Sequence, residues 1–479
     1  MHLNIVGVSS TLFAAIALIP SICAGLGAFP TKLVGPISST VGNPAKQGLA
    51  VGLSADGTTA IVGAPTELTI GAAIVYVLIG PSWQFQARLN GLTVDTRSNQ
   101  GSSVALSADG NTAIVGGYSD DADAMAFAAG AVWVFTRDGG GVWTQQGEKL
   151  RGNDGINASA QGWAAALSAD GNTAIVGGPG DNSNQGAAWI YTRTSGVWTQ
   201  QGPKLLGTSV PGVPRQGIAV ALSADGNTAI VGGSGDNGSV GAAWIYTRSN
   251  GLWAQQGAKL VGSEFVGTPE QGISVALSGD GNTAIVGGRS DADPVGAAWV
   301  YTRTGGVWSQ QGNKLIGTGA TGGANQGRSV ALSGDGNTAL VGGPNDNSGV
   351  GAAWLFTRTG GIWSQQGAKR VGNLAFQTSA QGSSVALSSD ASVALIGGPG
   401  DFSQNGAAWV FASAPCTLDV DGNNAIDALT DGLILIRAMF GLTGTSVTNG
   451  AIGGGTPTRA TWAQIQPYLN GNCGTSFAP

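Results

Sequence analysis

Histidine is almost missing from this chain: one residue, His2, in 479. It falls in an N-terminal segment expected to be cleaved, so the mature protein would carry none. Ser-His-Asp triads, Cys-His pairs and His-ligated zinc are thereby excluded, while chemistry built on carboxylates, Tyr, Lys or Arg stays open. Charge is scarce as well. Asp, Glu, Lys and Arg make up 10% of the chain, with a net charge of −6, less than half the usual charged share. No basic cluster is present to neutralise a run of phosphates or an anionic membrane surface, which argues against a nucleic-acid partner. Disorder is excluded because 42% of the residues are hydrophobic, too many for a chain that stays unfolded.

Long apolar runs are few. Ile5 to Ile19 has the length of a signal-peptide core and is too short for a comfortable membrane span. Pro20 and small residues follow it, and cleavage after Ala24 or Ala28 makes residues 1–28 a secretory leader. Its first residues lack Lys and Arg, so an uncleaved anchor is the rival reading. No other run reaches membrane length, and the mature chain is expected to be secreted or held at the cell surface without a span. Of the three cysteines, Cys23 lies in the leader behind a poor lipobox, Pro20-Ser21-Ile22. Cys416 and Cys473 remain. An even pair in an exported protein reads as a disulfide closing one small module, against the alternative of two free thiols.

What is abundant is glycine, 83 residues, and self-similarity. Gln-Gly recurs at Gln47, Gln100, Gln161, Gln216, Gln271, Gln326 and Gln381, with spacings of 53, 61 and then four of 55. A fixed period is read before any single motif. Each unit holds four runs that read as strands, shown by Ile218 to Ser223, Thr228 to Gly233, Ala242 to Arg248, and the segment from Leu252 to Gly262. Asp225-Gly226 and Asn250-Gly251 mark tight turns between them. Seven units of four short strands predict an all-β fold, a seven-bladed β-propeller over residues 29–414. A helical solenoid is excluded because no unit has helical periodicity.

The seventh unit stops at Pro415-Cys416 without its fourth strand. The missing ending, Lys-Leu-x-Gly, stands at the other end of the chain as Lys32-Leu33-Val34-Gly35, matching Lys204-Leu205-Leu206-Gly207 and Lys314-Leu315-Ile316-Gly317. The N-terminal strand is therefore expected to complete the last blade, closing the ring and removing its open edge. The units resemble FG-GAP repeats, the family of the integrin α-subunit propeller. Val62-Gly63-Ala64-Pro65 carries the family's Gly-Ala-Pro, three of the other six units have Gly-Gly-Pro, as at Gly177-Gly178-Pro179, and Gln-Gly replaces Phe-Gly throughout. The resemblance implies adhesion or matrix-type contacts. Many members also carry an acidic calcium loop between the first two strands. Here that connection is Asp170-Gly171-Asn172 and its equivalents, and one carboxylate in a tight turn cannot supply six oxygen ligands.

Tryptophan follows the repeat. Trp133, Trp189, Trp244, Trp299, Trp354 and Trp409 occupy third strands, and Trp83, Trp143, Trp198, Trp253, Trp308 and Trp363 open fourth strands; Trp163 and Trp462 complete the fourteen. A ring of sugar-stacking platforms and packing between blades are the two readings, with packing favoured. The Asp of each Asp-Gly turn, Asp56 to Asp335 and then Asp390, is expected to bond its own turn. The Arg of Thr-Arg (Arg193, Arg248, Arg303, Arg358) is expected on a solvated rim or against a neighbouring blade. Recognition is sought where units differ, in the connections from second to third strand and from fourth strand to the next blade, which emerge on one face. Asp120, Asp121 and Asp123 form the densest acidic cluster there, as a possible ligand-face loop that could hold a cation or simply be solvated.

From Cys416 the pattern changes, and residues 415–479 form a separate module. Asp419, Asp421, Asn423 and Asp427 stand at loop positions 1, 3, 5 and 9, with Ile426 at 8, the EF-hand spacing that wraps alternate ligands around Ca²⁺. Thr430 to Phe440 then reads as a helix with a good N-cap. Loop and helix resemble a dockerin-type, EF-hand-like calcium module. One Ca²⁺ is implied, held by Asp419, Asp421, Asn423, the carbonyl of Ala425 and Asp427. Asp431 stands one place beyond position 12, where Thr430 replaces the acid; the alternative is an Asx-rich turn. Two functions are carried forward. The first is a non-enzymatic, monomeric recognition or adhesion protein with no catalytic residues, whose partner is an extracellular protein or glycan. The second is an extracellular polysaccharide-active enzyme, a glycosidase or lyase, which would need two carboxylates converging on the axis.

Overall fold

The structure is a computed structural model that describes residues 30–36, 44–93, 97–121, 128–208, 212–376, 378–412, 420, 430–439, 441–452 and 458–466. Seven antiparallel four-stranded sheets form the blades of a propeller, six of them built from four consecutive strands. The third blade shows the pattern: Ala164–Leu167, Thr173–Gly178, Ala187–Thr194 and Val197–Gln200. Its second strand, Thr-Ala-Ile-Val-Gly-Gly, is buried at every position. Both faces of a blade press on neighbouring blades, so the strand reads as an unbroken apolar run instead of an alternating one. The sequence reading took the segment from Leu252 to Gly262 as one fourth strand. It is two pieces, a hairpin half at Leu252–Gln255 and a separate bridge from Leu260 to Ala243.

Third-strand tryptophans set the spacing between blades. All six are completely buried, which leaves no ring face for a sugar and decides for packing. The indole of Trp189 lies between two glycines. A Cβ on Gly152 would come within 2.1 Å of its Cδ1, and one on Gly178 within 2.7 Å of its Cζ3. The indole Nε1 donates to Asp154 Oδ1 at 2.7 Å, and Trp244 donates likewise to the carbonyl of Thr208 at 2.7 Å. Each such ring contributes on the order of 4–6 kcal/mol of gross transfer free energy. In the first blade Ile74 replaces Trp and Ala64 replaces the second glycine. A smaller side chain is matched by an added methyl group.

Two repeated polar devices fasten the blades. The Gln of each Gln-Gly is buried and accepts from the last glycine of the preceding blade, and all but Gln47 also donate to that glycine's carbonyl; Gln216 accepts from Gly207 N at 2.7 Å and donates to its carbonyl at 2.9 Å. On the turn face, Arg193 stacks on Trp198 at 5.3 Å and donates to Asn172 of its own blade and to Gln146 of the preceding one, at 2.9 and 3.0 Å. The Thr-Arg residues thus clasp neighbouring blades. Asp170 in the turn accepts from Ser168 Oγ at 2.5 Å and from Asn172 N at 2.9 Å. Burial alone would raise its pKa, but those hydrogen bonds together outweigh it and the carboxyl sits below its ordinary range.

A third device joins the sides of each blade. The third residue after the second-strand Gly-Gly is a carboxylate, fully or almost fully buried, and it meets the basic residue of Lys-Leu-x-Gly in the same blade. Asp181 pairs with Lys204 at 2.5 Å, Asp291 with Lys314 at 2.5 Å and Asp346 with Lys369 at 2.6 Å; Asp236 pairs with Lys259, and Glu67 with Arg88 at 3.3 Å. The same carboxylates accept backbone N–H groups from the linker arriving from the preceding blade, at Ile156, Val266 and Thr321, at 2.6–2.7 Å.

The ring closes as the sequence predicts. Thr31–Leu33 pairs antiparallel with the third strand of the last blade, Thr31 opposite Val410 and Leu33 opposite Ala408. Lys32 meets Asp401 at 2.6 Å, repeating the internal pair with residues from opposite ends of the chain. Gly35 N donates to Gln47 Oε1 at 3.1 Å. At the turn end, seven backbone hydrogen bonds form a closed circuit: Ala55 N donates to Ala108 O, Ala108 to Ala169, and so on through Ala224, Gly279, Gly334 and Ser389, whose N–H donates to Ala55 O.

The propeller is the compact unit Phe29–Phe411. The other unit contains a helix, Asp431–Met439, and a small core of Val420, Ile434, Ala438, Val447, Ala451, Trp462 and Ile465. Among the described residues no helix is long and apolar enough to cross a membrane.

Two outcomes follow from these contacts. Deleting residues 29–35 removes the closing strand, the Lys32–Asp401 pair and the Gln47 bracket. Thermal unfolding should lose its cooperativity, or light scattering should show dimers formed by strand exchange; a truncation that melts like the intact mature protein would refute closure. Replacing Lys314 by Met leaves the Asp291 carboxylate buried without its cation, which should cost about 3–5 kcal/mol in chemical denaturation. A loss under 1 kcal/mol would show that the backbone N–H groups suffice.

Candidate functional site

The variable loops meet on one face. Parallel bridges join the end of each second-to-third connection to the next Gln-Gly, as Gly186 to Gln216 and Gly241 to Gln271, and Gly406 to Gln47 completes the set. Part of that variability is only apparent. Asp120 belongs to the buried series: it is fully enclosed, 2.6 Å from Lys149, with Arg151 at 3.5 Å. Asp121, one-third exposed, meets Lys149 at 2.9 Å and also pairs with Arg151. Asp120 is therefore neither solvated nor open to a cation, and its loop is tied down by two cations of its own blade. Asp123 lies outside the described residues.

Outside those connections, within the repeated strand segments, the blades diverge most at the axis. First strands line a central cavity of about 200 Å³, and the residue after each Gln-Gly supplies its outer ring: Leu49, Ser102, Trp163, Ile218, Ile273, Arg328 and Ser383. The next two places are nearly uniform, Ala or Ser and then Val or Ala, as in Ala164-Ala165 and Ser329-Val330. No carboxylate lines this cavity among the described residues.

Two of those residues, Trp163 and Arg328, stand beside further groups on the same face. Trp163 is 41% exposed, and the ring of Tyr118 lies 4.7 Å from it at 52°. Arg289, which like Tyr118 follows a Gly-Gly, donates from Nε to Glu270 at 2.6 Å, and Ser290 Oγ donates to the same carboxylate at 3.3 Å. Asn325 Nδ2 donates to the Arg289 carbonyl at 3.0 Å. Arg328 lies within electrostatic reach of this group. Burial and the like charge of Arg289 pull its pKa below the ordinary arginine value, and Glu270 opposes them. Among the described residues its guanidinium makes no hydrogen bond or ion pair. Around the mouth, the places before Gln-Gly, after Gln-Gly and after Gly-Gly hold Lys46, Arg215, Arg289 and Arg328 against Glu270 alone. Four cations less one carboxylate give a local +3 in a chain of net −6.

Sequence reasoning did not single out Trp163 or Arg328 as a site. The signal was present: with units aligned on Gln-Gly, the next residue is aliphatic or Ser in five and Trp or Arg in two. The proposed calcium ligands Asp419, Asp421, Asn423, Ala425 and Asp427, and both Cys416 and Cys473, lie outside the described residues; Asp431 opens the helix Asp431–Met439.

No family model matches the chain, and no match is found among curated proteins. Among solved structures it is similar to a candidate 6-phosphogluconolactonase from Bacteroides uniformis ATCC 8492, at 13% identity over 68% of this chain and 86% of that one, with a TM-score of 0.48. It is also similar to a candidate 6-phosphogluconolactonase from Bacteroides fragilis NCTC 9343, at 11% identity over 68% and 84%, with a TM-score of 0.46.

Proposed function

We propose that this chain is a secreted or cell-surface recognition protein, non-enzymatic, whose extracellular protein or glycan ligand docks at the axial mouth. One observation carries the reading: strand segments that repeat almost residue for residue diverge at the ring that lines the axial cavity. Variable residues on a rigid scaffold are the usual seat of recognition. The FG-GAP resemblance supports an adhesion-type role. A glycosidase or lyase would need paired carboxylates at the axis, and Glu270, the carboxylate beside the mouth, is held by Arg289.

Ca²⁺ binding by the C-terminal module is proposed on the spacing of Asp419, Asp421, Asn423, the Ala425 carbonyl and Asp427, with Asp431 beyond them. Three negative charges within nine residues repel one another without a cation, and metal binding adds folding free energy that so small a module lacks.

Trp163→Ala should weaken the ligands found on a glycan and extracellular-protein array by tenfold or more, the effect of losing a central Trp anchor worth about 2 kcal/mol. A reducing-sugar assay run beside it checks the enzymatic alternative: turnover abolished by one Asp or Glu substitution would displace the binding reading. Calorimetry of the full chain should show Ca²⁺ raising a minor transition while the propeller's transition stays fixed. Asp419→Ala with Asp421→Ala should remove that shift, and a wild-type chain with no calcium response would reduce the loop to an Asx turn.

A further inference from the structure

We infer that the axial mouth takes an acidic sugar residue at the end of a chain, with its negative group on Arg328 and its ring against Trp163; this rests on the recognition reading above and names its ligand class. Arg328 has no scaffold duty. The equivalent place in the other six blades is filled by Leu49, Ser102, Trp163, Ile218, Ile273 and Ser383, and those blades form the same strands without a charge there.

The cation also differs from the paired cations of the propeller, although Arg370, away from the axis, likewise lacks a side-chain partner among the described residues. The buried carboxylates meet a basic residue within their own blades, and the Thr-Arg guanidiniums are hydrogen-bonded to Asn and Gln side chains, as Arg303 is to Asn282 and Gln256 at 2.9 and 3.2 Å. Arg328 is half-buried in the cavity wall and makes neither kind of contact among the described residues. Glu270 does not discharge it, because Arg289 and Ser290 already hold that carboxylate. A half-buried cation without a protein partner is open to an arriving anion, which it can hold through charge-assisted, bidentate hydrogen bonds.

The aromatic side of the mouth argues for a ring on the anion. Third-strand tryptophans are fully buried, whereas Trp163 presents an exposed indole braced by Tyr118. Such a face stacks on the C–H side of a pyranose, and Ser102 and Ser383 in the same ring, whose hydroxyls donate to the carbonyls of Asn99 and Ala380, offer acceptor oxygens. A peptide carboxylate would satisfy Arg328 but leave the indole uncovered. The cavity, about 200 Å³, is smaller than the roughly 300–1,000 Å³ of pockets that enclose a drug-sized ligand. It accommodates one terminal residue, with the chain continuing outward.

The test is calorimetric titration of the intact protein with four probes of matched length: an oligogalacturonate, a sulfated galacto-oligosaccharide, a neutral galacto-oligosaccharide and an aspartate-rich peptide. One or both acidic oligosaccharides should bind at least tenfold tighter than the neutral one, the two arms separating carboxylate from sulfate recognition, and added salt should weaken them. Arg328→Gln should abolish that preference with an unchanged or raised Tm, Arg328→Lys should keep part of it, and Trp163→Ala should weaken every oligosaccharide. Equal binding of neutral and acidic sugars that is sensitive to Trp163→Ala would leave the recognition reading standing and overturn this inference. So would acidic binding unaffected by Arg328→Gln, binding of the peptide alone, or binding of none of the four. A protein ligand lost on Trp163→Ala would, in that last case, still uphold docking at the mouth.

Discussion

Seven backbone hydrogen bonds running in a circle around the axis set the terms for everything else in this propeller. The N–H of Ala55 reaches Ala108, and six more bonds at 2.7–2.9 Å return the circuit to Ala55. A circuit of this kind has no ends, so its last bond forms only when every blade sits at the same angle and distance from the next. Bonds in an unbroken chain also polarise one another. The repeated side chains make that uniform angle possible. Trp189 and its equivalents act as spacers of one size, and the glycines flanking them fix how near the strands approach. The first blade shows that the spacing matters more than the residue, since Ile74 with Ala64 replaces Trp with Gly.

The demand for seven equal joints explains how the few charges are used. Of 27 carboxylates, seven form the buried series from Glu67 to Asp401 and seven occupy the turns between first and second strands, six in Asp-Gly and one in Asp390-Ala391. Over half are therefore consumed by the scaffold, the first set holding linkers and fourth strands together and the second closing turns. An acidic residue in such a chain says little about ligands. Asp120 illustrates the trap, because it stands beside Asp121 and Asp123 in a loop of unusual length and reads as a cation site. Its partner Lys149 is 29 residues away, and the pairing appears only when all seven loops are aligned on their Gly-Gly.

Whatever repeats was legible in the sequence. The unit count, the four strands per unit, the packing role of third-strand Trp and the loan of Lys32-Leu33-Val34-Gly35 to the last blade all follow from periodicity. The split of the fourth strand was not legible, because the pieces around Leu252 and Leu260 are both strand-like and the turn at Gly257 between them depends on its positive φ of 73°. The last blade carries only the inner piece, supplied by Thr31–Leu33. Trp163 and Arg328 were missed for a different reason. They lie in different blades, 165 residues apart, and nothing local marks them; only closure of the ring sets both in the wall of one cavity.

That last point gives a physical reason for placing function at the mouth and not in the outer loops. A substitution in the blade body must preserve a joint that six other copies also obey, so change there has to be compensated, as at Ile74 and Ala64. The residue after Gln-Gly is under no such rule. Its backbone is fixed by the strand and by the neighbouring Gln bracket, while its side chain points toward a cavity that no other blade fills. Residues as different as Ser102, Trp163 and Arg328 therefore occupy it with identical strand pairing beneath them, Ser103 opposite Gly116 and Ser329 opposite Gly342. Seven such positions line one cavity, and a change at any of them alters that cavity without disturbing the joints that maintain it.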